Sequence, residues 1–288
     1  MNLGIIGNGF VGNAIAHAFV PYMTVRIHDK NPEKSLDTLE DVVNNSDVVF
    51  VCVPTPMKES GIIDLSIVEN VFESVESCMS TESKAVFVLK STVVPGTTRK
   101  LKNKHPSLQI IFNPEFLTER HARFDFINQS RIVLGFETDV DDSQTNLTVQ
   151  KIKDLYDTRF SGNNFITTNY ETAEMIKYFN NLFFATKVSF MNEMKLVSEK
   201  VKEVNWEKAV RGFVSDGRVG DSHLQVPGPD GKKGFGGSCF PKDINAFIAF
   251  SDSIGLDLQV LKGAWKTNIN VRPEKDWEKL KGRAVSNE

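Results

Sequence analysis

The segment GFGGSCFPKD, residues 234 to 243, sets a cysteine and a lysine around a proline, directly after a run of glycines. Proline suits the first turn of a helix, because its missing N–H has no partner to lose there and its φ is already helical. A helix beginning near Pro241 leaves Cys239 just ahead of it, where the dipole and free backbone amides favour a thiolate. Lys242 adds positive charge close by. A thiolate there is a nucleophile; the alternative is a small buried thiol, the usual fate of cysteine. Cys52, inside the apolar run VVFVCV, reads as the buried kind.

Two further pairs carry chemistry at helical spacing. Lys177 and Asn181 are four residues apart on an otherwise apolar stretch, so on a helix they share a face and the ammonium needs a partner. Either Asn181 and a bound oxyanion supply it, or Glu174 forms a structural ion pair with the lysine. Glu115 and Glu119, in NPEFLTER, are also four apart. If that segment turns helically, both carboxylates face one crevice.

The N-terminal GIIGNGFVG puts Gly7, Gly9 and Gly12 in GxGxxG order, between an apolar strand and a helix start. Gly7 serves the tight turn, Gly9 the approach of backbone to a pyrophosphate, and Gly12 the packing of helix on strand. The helix start, over Asn8, Gly9, Phe10 and Val11, offers free N–H groups to the phosphates. Asp29 follows about 20 residues later, where a carboxylate accepts from the adenosine ribose and repels a 2′-phosphate; this favours NAD over NADP. Arg26 and Lys30 flank it with positive charge. VCVPTP and KSTVVPGT each follow a strand, so Thr55, Ser91 and Thr92 stand at the carboxyl edge that faces a cofactor in an open α/β sheet. Turn-capping hydroxyls are the alternative. Two carboxylates, a thiol, a lysine and a dinucleotide point to repeated redox chemistry at one carbon.

These residues need a scaffold. The runs LGIIG, TVRIHD, DVVFVCV, AVFVLK, LQIIF, RIVLGF and NFITT alternate with amphipathic stretches from Leu3 to about Asn169. Strands apolar on both faces imply a parallel sheet covered by helices, an α/β domain of the doubly wound, Rossmann type. From Glu171 the chain runs more than thirty residues without proline or glycine. As one helix it is roughly 50 Å long, apolar almost all round in its middle and therefore buried. Such a helix forms the spine of a smaller all-α domain and of a homodimer; two shorter helices are the alternative. Further helices begin near Pro241 and Leu258. The turn-rich VPGPDGKKGFGG reads as a binding loop rather than a linker. The expected domains are 1–169 and 170–288.

Composition narrows the partners. A chain of 288 residues with 40% hydrophobic and 25% charged content suits two packed domains. A net charge of −3 and an isoelectric point near 6.0 give no basic field for nucleic acid or anionic lipid. No run of about 20 apolar residues is present to cross a membrane, and the N-terminus lacks the charged start of a signal peptide. The three cysteines, odd in number and without a CxxC pair, argue against a disulfide framework and a zinc site. No metal and a reducing cytoplasm are the expectation.

Taken together, the motifs resemble the nucleotide-sugar dehydrogenases, most closely the UDP-glucose 6-dehydrogenases. Seven segments carry the likeness in order: GNGFVG, FVCVPTP, KSTVVPGTT, NPEFLTE, AEMIKYFNNLFFATKVSFMNEM, the RVG at Arg218 to Gly220, and GFGGSCFPKD. The resemblance implies oxidation of a sugar primary alcohol to a carboxylate, as in UDP-glucose to UDP-glucuronate, with two NAD+ and no metal. It makes Cys239 the nucleophile that captures the aldehyde as a thiohemiacetal and then carries a thioester. Lys177 and Asn181 would stabilise the oxyanion, and Asp243 with Lys177 would hold the water that takes the first proton. Thr92, Glu115 and Glu119 line the same site, one glutamate activating the hydrolytic water. Cofactor contacts extend to Lys30, Glu119 and Lys242, and sugar contacts to Phe116, Leu117, Phe235 and Gly236. The glycines of 234 to 237 let backbone approach the sugar. Arg218 reaches the neighbouring subunit's sugar, which requires a dimer.

The chain departs from the family pattern in places. Only about 45 residues follow Asp243, where family members usually continue through a third, nucleotide-gripping domain, and one βαβ unit already needs about 30. The expectation is a short form in which the first two domains and a neighbouring subunit hold the nucleotide, or a different substrate. Arg120 and Thr118 replace a usual glycine and a common arginine. Lys232 and Lys233 make the loop more basic, as phosphate contacts or as solvated lysines. Two rival readings stay open: a two-electron β-hydroxyacid-type dehydrogenase, which uses a lysine and an asparagine four apart but has no task for Cys239, and an NAD-binding scaffold without catalysis.

Overall fold

The computed structural model describes residues 1–138 and 143–287, with only the backbone at 143 and 144. All seven strands expected from the sequence form: β1 (Leu3–Ile6), β2 (Val25–His28), β3 (Val48–Val51), β4 (Val86–Leu89), β5 (Gln109–Phe112), β6 (Ile132–Phe136) and β7 (Phe165–Asn169). They build one sheet in the order β2-β1-β3-β4-β5-β6-β7. Pairing is parallel except where β6 meets β5, at the antiparallel pair Phe112 and Gly135. That junction corrects the fully parallel sheet expected from the sequence. An antiparallel strand starts at the edge where its neighbour ended, so no crossover helix is needed between them.

Among the described residues, six helices accompany the sheet: α1 (Phe10–Phe19), α2 (Leu39–Asn44), α3 (Ser66–Cys78), α4 (Thr97–Lys104), α5 (Ala122–Ile127) and α6 (Ser143–Arg159). Successive strand residues point to opposite faces, and both faces are apolar. Val48 and Phe50 pack with Ile15, Phe19, Phe126 and Tyr156 on one side. Val49 and Val51 pack with Val42, Phe72 and Val75 on the other. Helices α1, α5 and α6 thus cover one face and α2, α3 and α4 the other, the doubly wound arrangement.

Four helices follow: α7 (Tyr170–Ser198), α8 (Trp206–Val214), α9 (Phe240–Ser253) and α10 (Gln259–Val271). The chain divides into two compact units, Met1–Thr55 with Leu65–Lys177, and Pro56–Asp64 with Tyr178–Glu288. This differs from the expected division after residue 169 in two ways. The first turns of α7 stay with the sheet, because the Tyr170 hydroxyl donates to the Ile110 carbonyl at 2.7 Å and the Glu174 side chain is wholly buried there. Residues Pro56–Asp64 belong to the second unit: Met57 bridges Val285 and packs with Trp277 and Ala284.

Helix α7 spans 29 residues, about 43 Å at 1.5 Å per residue, shorter than the run predicted. It ends at Ser198, where the Lys200 N–H turns back to the Val197 carbonyl at 3.0 Å; Glu203 then takes the left-handed region, at φ 67°, and the Asn205 side chain accepts from the Lys208 N–H at 2.9 Å to start α8. Its middle is not buried all round. Phe179 and Phe183 are 64% and 66% exposed, and Phe190, Met194 and Val197 extend the apolar stripe along the helix.

Glu174, the alternative partner for Lys177, does something else. Its carboxylate accepts from the N–H of Gly96 at 2.6 Å, and from the N–H and hydroxyl of Thr98 at 2.8 and 2.7 Å. It therefore ties α7 to the start of α4. Burial outweighs these three bonds and pushes its carboxyl up from 4.5 to about 7. A carboxyl raised in the fold binds its proton more tightly folded than unfolded, so its contribution is fully present below 4.5 and is lost as pH rises through 7. The effect is at most about 3 kcal/mol. Glu174→Gln mimics the neutral acid. In urea melts from pH 4 to 8, the stability difference between wild type and this variant should move in favour of glutamine as pH rises, and a constant difference would refute the assignment.

Candidate active site

In the first unit, the turn between β1 and α1 is shaped by its glycines. Gly7 sits at φ +96°, and a Cβ there would lie 2.7 Å from the Cys52 carbonyl oxygen. A Cβ on Gly12 would collide with the Gly7 carbonyl, so helix and strand close only on glycine. Gly9 is different: nothing in the chain lies within 4 Å of its missing side chain. Its bareness serves no contact within the protein and leaves open backbone at the start of α1, which no side chain caps. The Asn8 side-chain oxygen is buried without a hydrogen-bond partner. Open backbone and a helix start fit a dinucleotide pyrophosphate, whereas the Asn8 oxygen, an acceptor, suits a hydroxyl donor instead. Asp29 accepts from the N–H groups of Asn8 and Asn31 at 2.6 and 2.8 Å, and a carboxylate keeps further lone pairs for a ribose hydroxyl. Arg26 is committed to the Asn45 carbonyl, and Lys30 is exposed.

At the carboxyl edge, the Thr55 hydroxyl donates to the Thr92 carbonyl at 2.8 Å and the Ser91 hydroxyl to the Val53 carbonyl at 2.6 Å. These bonds lash the loops after β3 and β4 together. Beside them, the buried Lys177 ammonium donates to the carboxylate of Glu115 at 2.8 Å and to its carbonyl at 2.6 Å. The other Glu115 oxygen accepts from the Leu117 N–H at 2.6 Å. Phe116 lies under two cations, with the Arg131 guanidinium 4.0 Å and the Lys177 amine 5.7 Å from its ring centre.

Residues 113 to 118 do not turn helically, which corrects the reading of Glu115 and Glu119 as one helical face. Glu115 is buried, whereas Glu119 begins a short 3-10 turn and is exposed. Thr118, one of the departures from the family pattern, donates to Asp125 through both its N–H and its hydroxyl. Sequence reasoning passed over Lys90. Its buried amine donates to the Asn113 side chain at 3.0 Å and the Pro114 carbonyl at 3.3 Å, and burial lowers it to about 8. A lysine closing the apolar run AVFVLK was the available signal. Arg131, opening the next strand, was missed for want of any cue to its ring partner. Burial pushes the Cys52 thiol up to about 12, the inert condition expected of it.

In the second unit, α9 begins at Phe240 with Pro241 in its first turn and Cys239 as the residue capping its start. The Cys239 sulfur lies 3.7 Å from the Ser238 hydroxyl, and the Cys239 carbonyl accepts from the Asp243 N–H at 2.8 Å. Asp243 is almost fully buried. One of its oxygens pairs with Lys242, and the other accepts from the Asn181 side chain at 2.6 Å. Lys242 thus neutralises Asp243, which corrects the expectation that its charge serves the thiol. Phe235 is buried, and its N–H and carbonyl are taken by Asn268, so that amide is closed to a ligand. Arg218 is largely exposed and paired with its own Asp216. Lys232 and Lys233 pair with Glu274 and Glu199, each at 3.2 Å.

The doubly wound unit carries a glycine cradle suited to a dinucleotide, and the helical unit carries a thiol at a helix start. The UDP-glucose/GDP-mannose dehydrogenase family accounts for both halves: its NAD-binding domain matches residues 21–159 and its central domain residues 171–270. The UDP-glucose 6-dehydrogenase AglM of Haloferax volcanii is 31% identical, over 98% of this chain and 73% of its own length. The UDP-glucose 6-dehydrogenase of Rickettsia prowazekii is 38% identical, over 80% of this chain and 50% of its own. The solved UDP-glucose dehydrogenase of Pyrobaculum islandicum superposes with a TM-score of 0.80 at 28% identity, covering 93% of this chain and 68% of that one. The chain belongs to this family, and NAD is its cofactor. It spans about half the length of several curated relatives that it matches.

Two glycine substitutions separate the two roles of the turn. Gly9→Ala should leave the melting temperature unchanged and weaken NAD binding roughly tenfold, about 1.4 kcal/mol. Gly12→Ala should cost about 1–3 kcal/mol of folding stability through overpacking. Calorimetric titration with NAD and urea melts read the two; equal effects from both would contradict this division.

Proposed function

We propose that the protein oxidises the primary alcohol of a nucleotide sugar to a carboxylate in two hydride transfers, with UDP-glucose as substrate and Cys239 holding the aldehyde between the steps. The observation that carries this reading is the seat of Cys239 at the start of α9, where the helix dipole favours the thiolate.

Asp243, steadied by Asn181, holds with Lys177 the water that takes the alcohol proton. The Cys239 thiolate then adds to the aldehyde carbon; a C–S bond forms and the carbonyl electron pair moves to oxygen, where Lys177 and Asn181 stabilise it. Loss of the second hydride leaves a thioester. Water activated by Glu115 attacks the thioester, and the C–S bond breaks with its pair returning to sulfur. NAD, when bound, supplies the hydride acceptor, so that RCH2OH, one water and two NAD+ yield RCOO−, two NADH and three H+. Thr92, Glu119 and Lys242 serve as cofactor contacts, and Phe116 and Leu117 border the sugar.

The rival two-electron reading leaves Cys239 idle, and a scaffold would turn nothing over. Counting NADH against alcohol consumed decides among them: two per alcohol is expected, with Cys239→Ser stopping before carboxylate appears. One NADH per alcohol, or an unaffected Cys239→Ser enzyme, would reject the cysteine route.

The exposed stripe of Phe179, Phe183, Phe190, Met194 and Val197 on α7 supports a homodimer. A single helix face meets its own copy across a two-fold axis without needing a second kind of surface. The occupant is therefore a second copy of this chain, towards which Arg218 is proposed to reach. Phe183→Asp should shift the mass by light scattering from dimer to monomer, and an unchanged mass would place the contact elsewhere.

A further inference from the structure

We propose that Asn268 and Arg272 are positioning residues for the nucleophile: they grip the backbone of residues 233 and 235 and thereby help to fix where Cys239 stands. The inference deepens the cysteine reading and rests on it for its catalytic meaning.

Side chains hold the backbone at four positions before the cysteine, residues 233, 234, 235 and 237. Lys233 offers its carbonyl to the Arg272 guanidinium at 3.4 Å. The Gly234 N–H donates to the Asn192 side chain at 3.1 Å. Asn268 takes both polar groups of Phe235, accepting from its N–H at 2.7 Å and donating to its carbonyl at 3.0 Å. The Gly237 N–H bonds to the Asp276 carboxylate. Only Ser238 then separates this splint from Cys239.

The gripping side chains are expensive ones for a helix to hide. Asn268 is 0% and Arg272 2% exposed. A helix that needed only to cover the loop would present leucine there, since a buried amide or guanidinium loses hydration that must be replaced bond for bond. Arg272 is compensated by Asp230 at 2.7 Å and by Asp276 at 2.6 and 3.0 Å. The glycines interlock with this apparatus. A Cβ on Gly234 would strike the Asn268 oxygen, and one on Gly236 would strike the Arg272 guanidinium. Two glycines that the sequence assigns to sugar approach are therefore required by the protein's own α10. The loop is clamped, and the thiol inherits its position.

The test compares wild type with Arg272→Lys, which keeps the charge but loses the planar fork, and with Asp230→Asn, a milder change at a partly exposed partner that serves should the first fail to fold. Full-length protein is treated with iodoacetamide across pH 6 to 10, and Cys239 modification is followed by peptide mass. Melting temperature and NAD affinity are measured alongside. The expected result is an alkylation midpoint displaced towards the ordinary thiol value of about 8.5, and a turnover reduced about tenfold or more, with NAD affinity unchanged. A fall in melting temperature with the Cys239 alkylation profile identical to wild type would assign Arg272 and its Asp230 partner to stability alone and overturn the proposal. Alkylation needs no substrate, so this outcome is read independently of whether two NADH are formed.

Discussion

The crevice of the first unit depends on one buried ammonium. Lys177 is almost without solvent, and two oxygens of a single residue, the carboxylate and the carbonyl of Glu115, receive it. Stripping either partner from such a pair leaves an uncompensated charge in a low dielectric, at a cost of about 3–5 kcal/mol. The pair also dictates backbone. Lys177 claims the carbonyl of residue 115 and Lys90 that of residue 114, so neither is free to begin a helix. That is why NPEFLTER stays extended although its two glutamates have helical spacing. The ring of Phe116, between cations, follows from the same arrangement.

The second unit solves an analogous problem with opposite sign. Asp243 is the buried charge, answered by Lys242 on one oxygen and Asn181 on the other. Lys177 and Asn181 are four residues apart in sequence, and each bonds to a carboxylate of its own unit.

Much of this was legible in the residues. The seven strands were readable because each is a short apolar run bounded by turn formers, and the glycine turn because close packing admits no other residue. Pro241 announced α9 to within a residue. Long-range pairing was not legible. Nothing in PMKESGIID indicates that it leaves the sheet unit, because its partners come from the far end of the chain. Nor does RIVLGF announce its reversed direction, since an apolar strand reads the same either way. The middle of α7 was misjudged because apolar residues on every face imply burial only when the partner is in the same chain. Gly234 and Gly236 looked like space for a ligand because glycine signals absence and does not name what fills it.

The pairing of Met57 with Val285 has a consequence for how the chain assembles. Ser286 and Asp64 meet across 222 residues of sequence, so the second unit closes only after residue 286 has left the ribosome. The sheet faces no such wait, apart from spanning the looped-out Pro56–Asp64. Synthesis therefore imposes an order: the nucleotide-binding unit can form before the thiol-bearing unit closes around a hairpin made much earlier.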